Sequence, residues 1–187
     1  MELTHLFWLH SSTIGGWKDD AGAAAGEEYT VRTDKAGRVH SRTFVPGITR
    51  PGAFFNGVPE GTAYDQWNDT EWTAPANMKF TMCAIPAGNA VEAASPYMLQ
   101  SHCITPETAT SSHYFSGFSR IFDLAIDAAG DARLIAFFKG IFEREDGPML
   151  ADIQEQMGEH ELFDLNPVIL PRDRGAILVR RLLARSL

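Results

Sequence analysis

The sequence has little cysteine and little positive charge, and both shortages exclude whole classes of protein. Its 187 residues include 2 cysteines, Cys83 and Cys103, too few for a disulfide framework or a four-thiolate metal site. The 16 Lys and Arg are outnumbered by 24 Asp and Glu, which gives a formal net charge of −8. Because nucleic-acid-binding surfaces concentrate Lys and Arg, this balance excludes a nucleic-acid partner.

Long apolar runs and a basic leader are also absent. No run approaches the ~20 apolar residues that a membrane-spanning helix needs. The first residues, Met-Glu-Leu-Thr-His, lack the basic start of a secretion signal. The sequence therefore predicts a cytoplasmic protein with no membrane partner. What is present is 44% hydrophobic residues, which at this length can bury the core of one domain.

Alternating residues and turn signals predict several strands in the middle of the chain. The β-rich runs 29–32 and 38–44 flank a turn-forming Asp-Lys-Ala-Gly segment and indicate a hairpin. Three further strands are predicted, each bounded by Pro, Gly or Asn: 78–85, 97–105 and 110–122. In the last of these, His113 and Phe115 lie on one face and Tyr114 lies on the other.

After Gly130 the period changes from two residues to 3.6, which is typical of a helix. A long amphipathic helix is predicted over 131–157, and a basic helix over 173–185. The residues expected to face the core form one stripe on the long helix: Ile135, Phe138, Phe142, Met149 and Ile153. Strands in succession followed by a long helix indicate an antiparallel α+β domain rather than a βαβ fold.

Two segments outside these elements are also rich in large apolar residues. The first, 2–13, predicts a short helix, and an exposed acidic loop is expected to follow it at 19–27. The second, 46–75, is rich in Gly and Pro and predicts a loop. It nevertheless carries five large aromatic residues: Phe54, Phe55, Tyr64, Trp67 and Trp72. That loop is expected to fold over something apolar, either the core or a ligand.

Two histidines near the start, His5 and His10, are candidate metal ligands because imidazoles coordinate metals readily. Their spacing alone is weak evidence. Five residues along an ideal helix correspond to a rotation of ~140°, whereas partners four apart share a face. Both could bind one ion only if the helix were distorted or ended between them. Alternatively, they are two polar residues at a frayed chain end.

A carboxylate on the long helix completes a possible ligand set. Asp146 lies on the apolar stripe, where a carboxylate must be paired, hydrogen-bonded or bound to metal. Glu145, at the edge of the stripe, could be the inward acid instead, and Gly147-Pro148 is expected to bend the helix there. A solvated acidic cluster at the bend is the alternative. Two histidines and one carboxylate are the ligands of a ferrous facial triad, which leaves positions open for oxygen.

Four segments in this order carry a resemblance to a known family. The first has an acid, Glu2, three residues before the H-x4-H pair. The others are His102-Cys103-Ile104-Thr105-Pro106-Glu107-Thr108 with His113-Tyr114-Phe115, then Phe142-Glu143-Arg144-Glu145-Asp146-Gly147-Pro148-Met149-Leu150, and finally Arg174-Gly175-Ala176 through Leu183. Together they resemble the catalytic domain of Rieske-type non-haem iron oxygenases, and in particular the vanillate O-demethylase branch.

The resemblance implies a helix-grip fold, in which an antiparallel sheet wraps a long helix. It assigns His5, His10 and Asp146 as ligands of Fe²⁺. Glu2 takes the position that bridges electron transfer between subunits, where the family has Asp or Asn. The substrate pocket is expected to be lined from the strands and the aromatic loop by Phe54, Phe55, Met78, Phe80, His102, His113 and Phe115. His113 could orient a polar group of the substrate or pack between strands.

A Rieske [2Fe-2S] cluster needs a C-x-H and a C-x2-H pair, and neither Cys83 nor Cys103 fits. The 187 residues are therefore expected to be one catalytic domain, the C-terminal portion of an α subunit, with the Rieske domain in a missing N-terminal part or a partner. The implied partners are O₂, an aromatic substrate and a reductase or ferredoxin acting through a Rieske domain. The family also implies a homotrimer at full length.

The function implied by the resemblance is mono-oxygenation, either hydroxylation or O-demethylation of an aromatic (methoxy) acid. The chain alone is expected to be inactive with a reductase, because it has no cluster to relay electrons. One alternative is a non-catalytic helix-grip module that binds an apolar or aromatic ligand. Another is a zinc hydrolase that uses the same three ligands with bound water as the nucleophile.

Overall fold

The computed structural model describes residues 9–10, 26–49, 61–89, 98–120 and 127–185. Six strands form one sheet: β1 (Glu28–Thr33), β2 (Val39–Ile48), β3 (Tyr64–Thr73), β4 (Asn77–Pro86), β5 (Met98–Pro106) and β6 (Ser112–Arg120). Each strand pairs antiparallel with the next, so their order in the sheet is their order in the chain. The predicted hairpin and the three predicted strands after it are confirmed.

Strand β3 was not predicted, because its residues lie in the segment 46–75 that reads as a loop. Apart from Trp67, its buried positions alternate, but three of them are polar: Gln66, Asn68 and Thr70. Where the buried positions and the positions between them are both polar, the sequence shows no hydrophobic period of two residues. Tyr64, Trp67 and Trp72 are buried, which confirms the core interpretation for these aromatics. Phe54 and Phe55 lie outside the described residues.

A β-bulge lets β2 continue past Pro46, beyond the predicted end of this strand. The register with β3 shifts between Val45 and Ile48, and Gly47 has a φ of 66° that suits glycine. The carboxylate of Asp65 accepts hydrogen bonds from the backbone N–H groups of Gly47 (3.0 Å) and Gly88 (3.1 Å). One side chain thus holds the bulge and the turn after β4 together.

After the sheet, the described residues form three α-helices: α1 (Ala128–Ile141), α2 (Gly147–Met157) and α3 (Arg174–Ala184). The Asp127 side chain caps α1 by accepting from the N–H of Gly130 at 2.8 Å. Between α1 and α2 the chain forms a π-helical turn, Phe142–Asp146, without a break. The predicted helix 131–157 and the predicted last helix are therefore confirmed in extent. Within the described ranges, no helix is both long and apolar enough to cross a membrane.

The core lies where α1 packs on one face of the sheet, called the helix-facing side below. Phe138 packs with Met82 and Met98, and its ring stacks on Phe118 with centroids 3.9 Å apart. By the strand register, this side also carries the even-numbered residues of β3, β4, β5 and β6. An antiparallel sheet packed on a helix confirms the α+β class.

The predicted apolar stripe is only partly correct. Phe138 is buried, but Ile135, Met149 and Ile153 are exposed, and α2 has no buried residue. The buried side of α1 is instead formed by Phe138 and Ile141, with Leu134 packed against the core. For Met149 and Ile153, which follow the π-helical turn, a stripe drawn at a uniform 100° per residue fails because that turn contains more residues than an α-helical turn. Ile135 precedes the turn, and its exposure is not explained in this way.

Candidate metal centre

The imidazole of His10 lies between two carboxylates that consecutive residues of the π-helical turn supply. Its Nδ1 is 2.7 Å from Oε2 of Glu145, and its Nε2 is 3.4 Å from Oδ2 of Asp146. His10 and Asp146 are buried, and Glu145 is partly buried. The sequence left open which of the two acids points inward. Both do, toward the two ring nitrogens of one histidine.

The π-helical turn explains how neighbouring acids reach the same ring. Its defining hydrogen bond runs from the N–H of Gly147 to the carbonyl of Phe142, five residues back. Pro148, which has no N–H to donate, follows directly after this hydrogen bond, at the start of α2. The bend expected at Gly147-Pro148 is therefore a widened turn. Such turns inside α-helices are frequent at functional sites.

Burial of the imidazole and two neighbouring carboxylates act in opposite directions on the pKa of His10. Burial lowers the pKa of the imidazole, but the hydrogen bonds and charges of Asp146 and Glu145 outweigh this and raise the pKa of His10 above its ordinary value of 6.5. Glu143 and Arg144, in the same turn, are exposed. The expected solvated cluster is thus only half correct: Glu143 and Arg144 are solvated, whereas Glu145 and Asp146 contact His10.

The donor set fits a divalent metal. Two ligand atoms about 2.1 Å from one ion, at angles of about 90–110°, are about 3.0–3.4 Å apart. The 3.4 Å between Nε2 of His10 and Oδ2 of Asp146 matches that separation. The remaining predicted ligand, His5, and the predicted bridge, Glu2, lie outside the described residues. Within those residues no cluster of three or more possible metal ligands is found.

Tyr114 and His102 connect the sheet to this turn. The Tyr114 hydroxyl and Nδ1 of His102 are joined by a hydrogen bond, and their rings stack with centroids 5.8 Å apart. The Tyr114 ring also makes an edge-on contact with the ring of Phe142, with centroids 5.2 Å apart. Burial and then the charge of Asp146 raise the pKa of Tyr114, which keeps the phenol neutral. Tyr114 was missed, although the strand pattern places it opposite to His113.

The predicted pocket residues divide between the two faces of the sheet. Met78, Phe80 and His102 lie together on the helix-facing side, where Met78 is the cross-strand partner of His102. His113 and Phe115 lie on the opposite face and are exposed, Phe115 by 62%. The structure does not bring these two to the other candidates, because adjacent positions of a strand alternate between faces.

Two amide side chains on the helix-facing side were also missed. Gln66 and Asn68 are buried, and their carbonyl oxygens have no hydrogen-bond partner in the part of the chain that the structure describes. A buried acceptor left without a partner costs about 1–3 kcal/mol, so a donor from a ligand or water would stabilise it. Predicting β3 as a strand would have exposed this pattern.

Comparison with known proteins points in the same direction. The model of the family described as "Vanillate O-demethylase oxygenase C-terminal domain" matches residues 1–187. The dicamba O-demethylase oxygenase component of Stenotrophomonas maltophilia is 29% identical over 184 residues, covering 97% of this chain and 51% of the relative. The vanillate O-demethylase oxygenase subunit of Pseudomonas sp. (strain ATCC 19151) is 27% identical over 202 residues, covering 99% and 56%.

The chain thus spans about half the length of the curated relatives it matches. Among solved structures, dicamba monooxygenase bound to 3,6-dichlorosalicylic acid superposes with a TM-score of 0.77 at 24% identity. That match covers 97% of this chain and 51% of the solved chain. It shows that the two share a fold.

Proposed function

Because the chain belongs to the family of vanillate O-demethylase oxygenase C-terminal domains, we propose that it is the mononuclear-iron catalytic portion of an aromatic-compound mono-oxygenase. The observation that supports this most directly is the buried pair of Nε2 of His10 and Oδ2 of Asp146, 3.4 Å apart. The reaction is O₂-dependent hydroxylation or O-demethylation of an aromatic (methoxy) acid. For a methyl ether the balance is ArOCH₃ + O₂ + 2e⁻ + 2H⁺ → ArOH + CH₂O + H₂O.

In this proposal His5, His10 and Asp146 hold the metal. Bound Fe²⁺ with two imidazoles and one carboxylate supplies open coordination positions at which O₂ is activated. Asp146 serves from the π-helical turn, and its burial keeps bulk water from the carboxylate. His10 serves through Nε2, the ring nitrogen that faces Asp146.

The substrate is proposed to bind on the helix-facing side of the sheet, with the long helix closing the pocket as in a helix-grip fold. Met78 and Phe80 would contact its aromatic ring, and Phe54 and Phe55 would add to that apolar lining. His102 would contact a polar group of the substrate, since its hydrogen bond to Tyr114 fixes the orientation of the imidazole. The carbonyl oxygens of Gln66 and Asn68 would accept hydrogen bonds from donors on the substrate.

Electrons are proposed to come from a Rieske [2Fe-2S] cluster outside these 187 residues. The two cysteines of the sequence fit neither half of the Cys/His pattern that such a cluster requires. Glu2 would bridge electron transfer from the cluster of a neighbouring subunit to the metal in a homotrimer. A reductase or ferredoxin would supply the electrons. Consistent with this, one relative is named as an oxygenase component, and another is named as the iron-sulfur subunit of a toluene-4-sulfonate monooxygenase system.

Anaerobic loading with Fe²⁺ tests the metal site directly. We expect the full chain to retain about one Fe²⁺ after gel filtration, and His10→Ala and Asp146→Ala to lose it. His113→Ala and Glu143→Ala are matched controls, because both side chains are exposed, and both variants should retain iron. Circular dichroism would verify that each variant is folded.

Two results would replace the proposal with its rivals. A chain that retains no metal but binds an aromatic acid tightly would be a binding module. A chain that retains zinc and hydrolyses esters would be a metal-dependent hydrolase. Iron retained equally by the His10→Ala and Asp146→Ala variants would show that the metal is bound elsewhere.

A further inference from the structure

The contact between Glu145 and His10 has no place in the ligand set. Oε2 of Glu145 is 2.7 Å from Nδ1 of His10, on the edge of the ring away from the nitrogen that faces Asp146. We propose that Glu145 is a positioning residue, which fixes both the orientation and the tautomer of His10 so that Nε2 is available to the metal. This inference rests on the proposed function.

The chemistry of imidazole explains why such a residue is needed. A neutral histidine carries its proton on either nitrogen, and only the unprotonated nitrogen can bind a metal. A carboxylate can only accept, so Nδ1 must donate to Glu145, and the lone pair then lies on Nε2. The same bond prevents rotation of the ring. Partners of this kind raise metal affinity in many metalloproteins, typically by 10–100-fold.

The local fold lets Glu145 fulfil this role without leaving the helix. The π-helical turn directs Glu145 and Asp146, consecutive residues, to the two nitrogens of one ring. The Glu145 side chain is only 18% exposed, so water competes weakly for the charge-assisted bond. Glu143, two residues earlier, is exposed and forms an ion pair with Lys139 instead. The segment therefore holds an acid of the same type that serves as its control.

Three substitutions of Glu145 separate the effect of side-chain length from the effect of side-chain charge. Glu145→Gln keeps the length of the side chain and an accepting oxygen but removes the charge. Glu145→Asp keeps the charge but shortens the side chain by one carbon–carbon bond, about 1.5 Å, which breaks a 2.7 Å contact. Glu145→Ala removes both, and Glu143→Ala is the control.

Affinity of the full chain for Fe²⁺ and for Zn²⁺ would be measured by competition with a chelator. We expect Glu145→Ala and Glu145→Asp to bind each metal about 10–100-fold more weakly, and Glu145→Gln to bind more tightly than Glu145→Asp. Glu143→Ala should bind within about twofold of the original chain. In the zinc-loaded protein, nitrogen NMR should show the proton of His10 on Nδ1, and Glu145→Ala should broaden or shift that signal.

The outcomes distinguish this inference from the function on which it rests. If Glu145→Ala binds metal as tightly as the original chain while His10→Ala and Asp146→Ala do not bind, the positioning role is refuted and the metal site stands. The positioning role is equally refuted if Glu145→Asp binds better than Glu145→Gln, since charge would then matter more than the hydrogen bond. If the original chain binds neither metal, the proposed function is refuted, and the positioning role that rests on it is refuted with it.

Discussion

Two apolar residues of the same helix, Phe138 and Ile135, should differ sharply in their contribution to stability. Phe138 is 3% exposed, packs with Met82 and Met98, and stacks on Phe118. Truncating a phenylalanine in such a site removes its buried area and leaves a cavity, so Phe138→Ala should lower the free energy of unfolding by about 3–5 kcal/mol.

Ile135 lies one turn earlier on α1 and is 62% exposed. Full burial of isoleucine is worth about 1.5–3 kcal/mol, so the roughly 40% that is covered is worth about 0.6–1.2 kcal/mol. Alanine recovers part of this through its higher helix propensity. Ile135→Ala should therefore cost about 0.5 kcal/mol.

Urea unfolding of the full chain and both variants provides the measurement. Trp67 and Trp72 are buried in the sheet, so their fluorescence reports its unfolding, and far-ultraviolet circular dichroism reports the helices. The midpoint should fall strongly for Phe138→Ala and hardly for Ile135→Ala, with unchanged slopes. Equal losses would refute the packing of Phe138 in the core and restore the uniform stripe that the sequence predicts.

Three further predictions concern the sheet and the reaction. Asp65→Ala should lower the free energy of unfolding by about 1–2 kcal/mol, because Gly47 and Gly88 lose their acceptor, and Asp65→Asn by less, as urea unfolding would show. Hydrogen bonds from His40 and Arg38 lower the pKa of Asp34 despite opposing desolvation, so the stability difference between the original chain and Asp34→Asn should be full above pH 3.8 and shrink below it. Parallel urea titrations from pH 3 to 7 would test this, and a difference that grows at low pH would contradict it. Iron-loaded chain mixed with a reductase and NADH should give no sustained hydroxylation; repeated turnover would disprove the need for an external cluster.

Much of the sheet can be predicted from the sequence, because five of its strands combine alternation with turn residues at their ends. Strand β3 cannot be predicted in this way, since Gln66, Asn68 and Thr70 occupy buried positions and remove the alternation of apolar with polar residues. In the proposed function this face of the sheet meets a polar ligand, which would account for the polar residues. Sequence patterns that equate burial with hydrophobicity fail at such a face.

The long helix predicted an inward acid at Asp146 or Glu145, with a solvated cluster as the alternative, whereas the partner of these acids was not predictable from spacing. His10 lies 135 residues from Glu145 in sequence, and no local period relates the two. The residue types of a ferrous facial triad, and then the resemblance to a family, are what connected His10 with Asp146. Likewise, the choice between Glu145 and Asp146 assumed a regular helix, in which consecutive residues point about 100° apart. The π-helical turn removes that assumption, and both acids reach the ring.

The order of the strands has a consequence for how the candidate metal centre would assemble. Every strand pairs with its neighbour in sequence, so the sheet is built from short-range connections that close early at low entropic cost. The contact of His10 with the π-helical turn closes a far longer loop. We therefore expect this contact to form after the sheet and separately from it. An ion that binds only the assembled arrangement would stabilise the closed state by mass action and tie the first described residues to a sheet already formed.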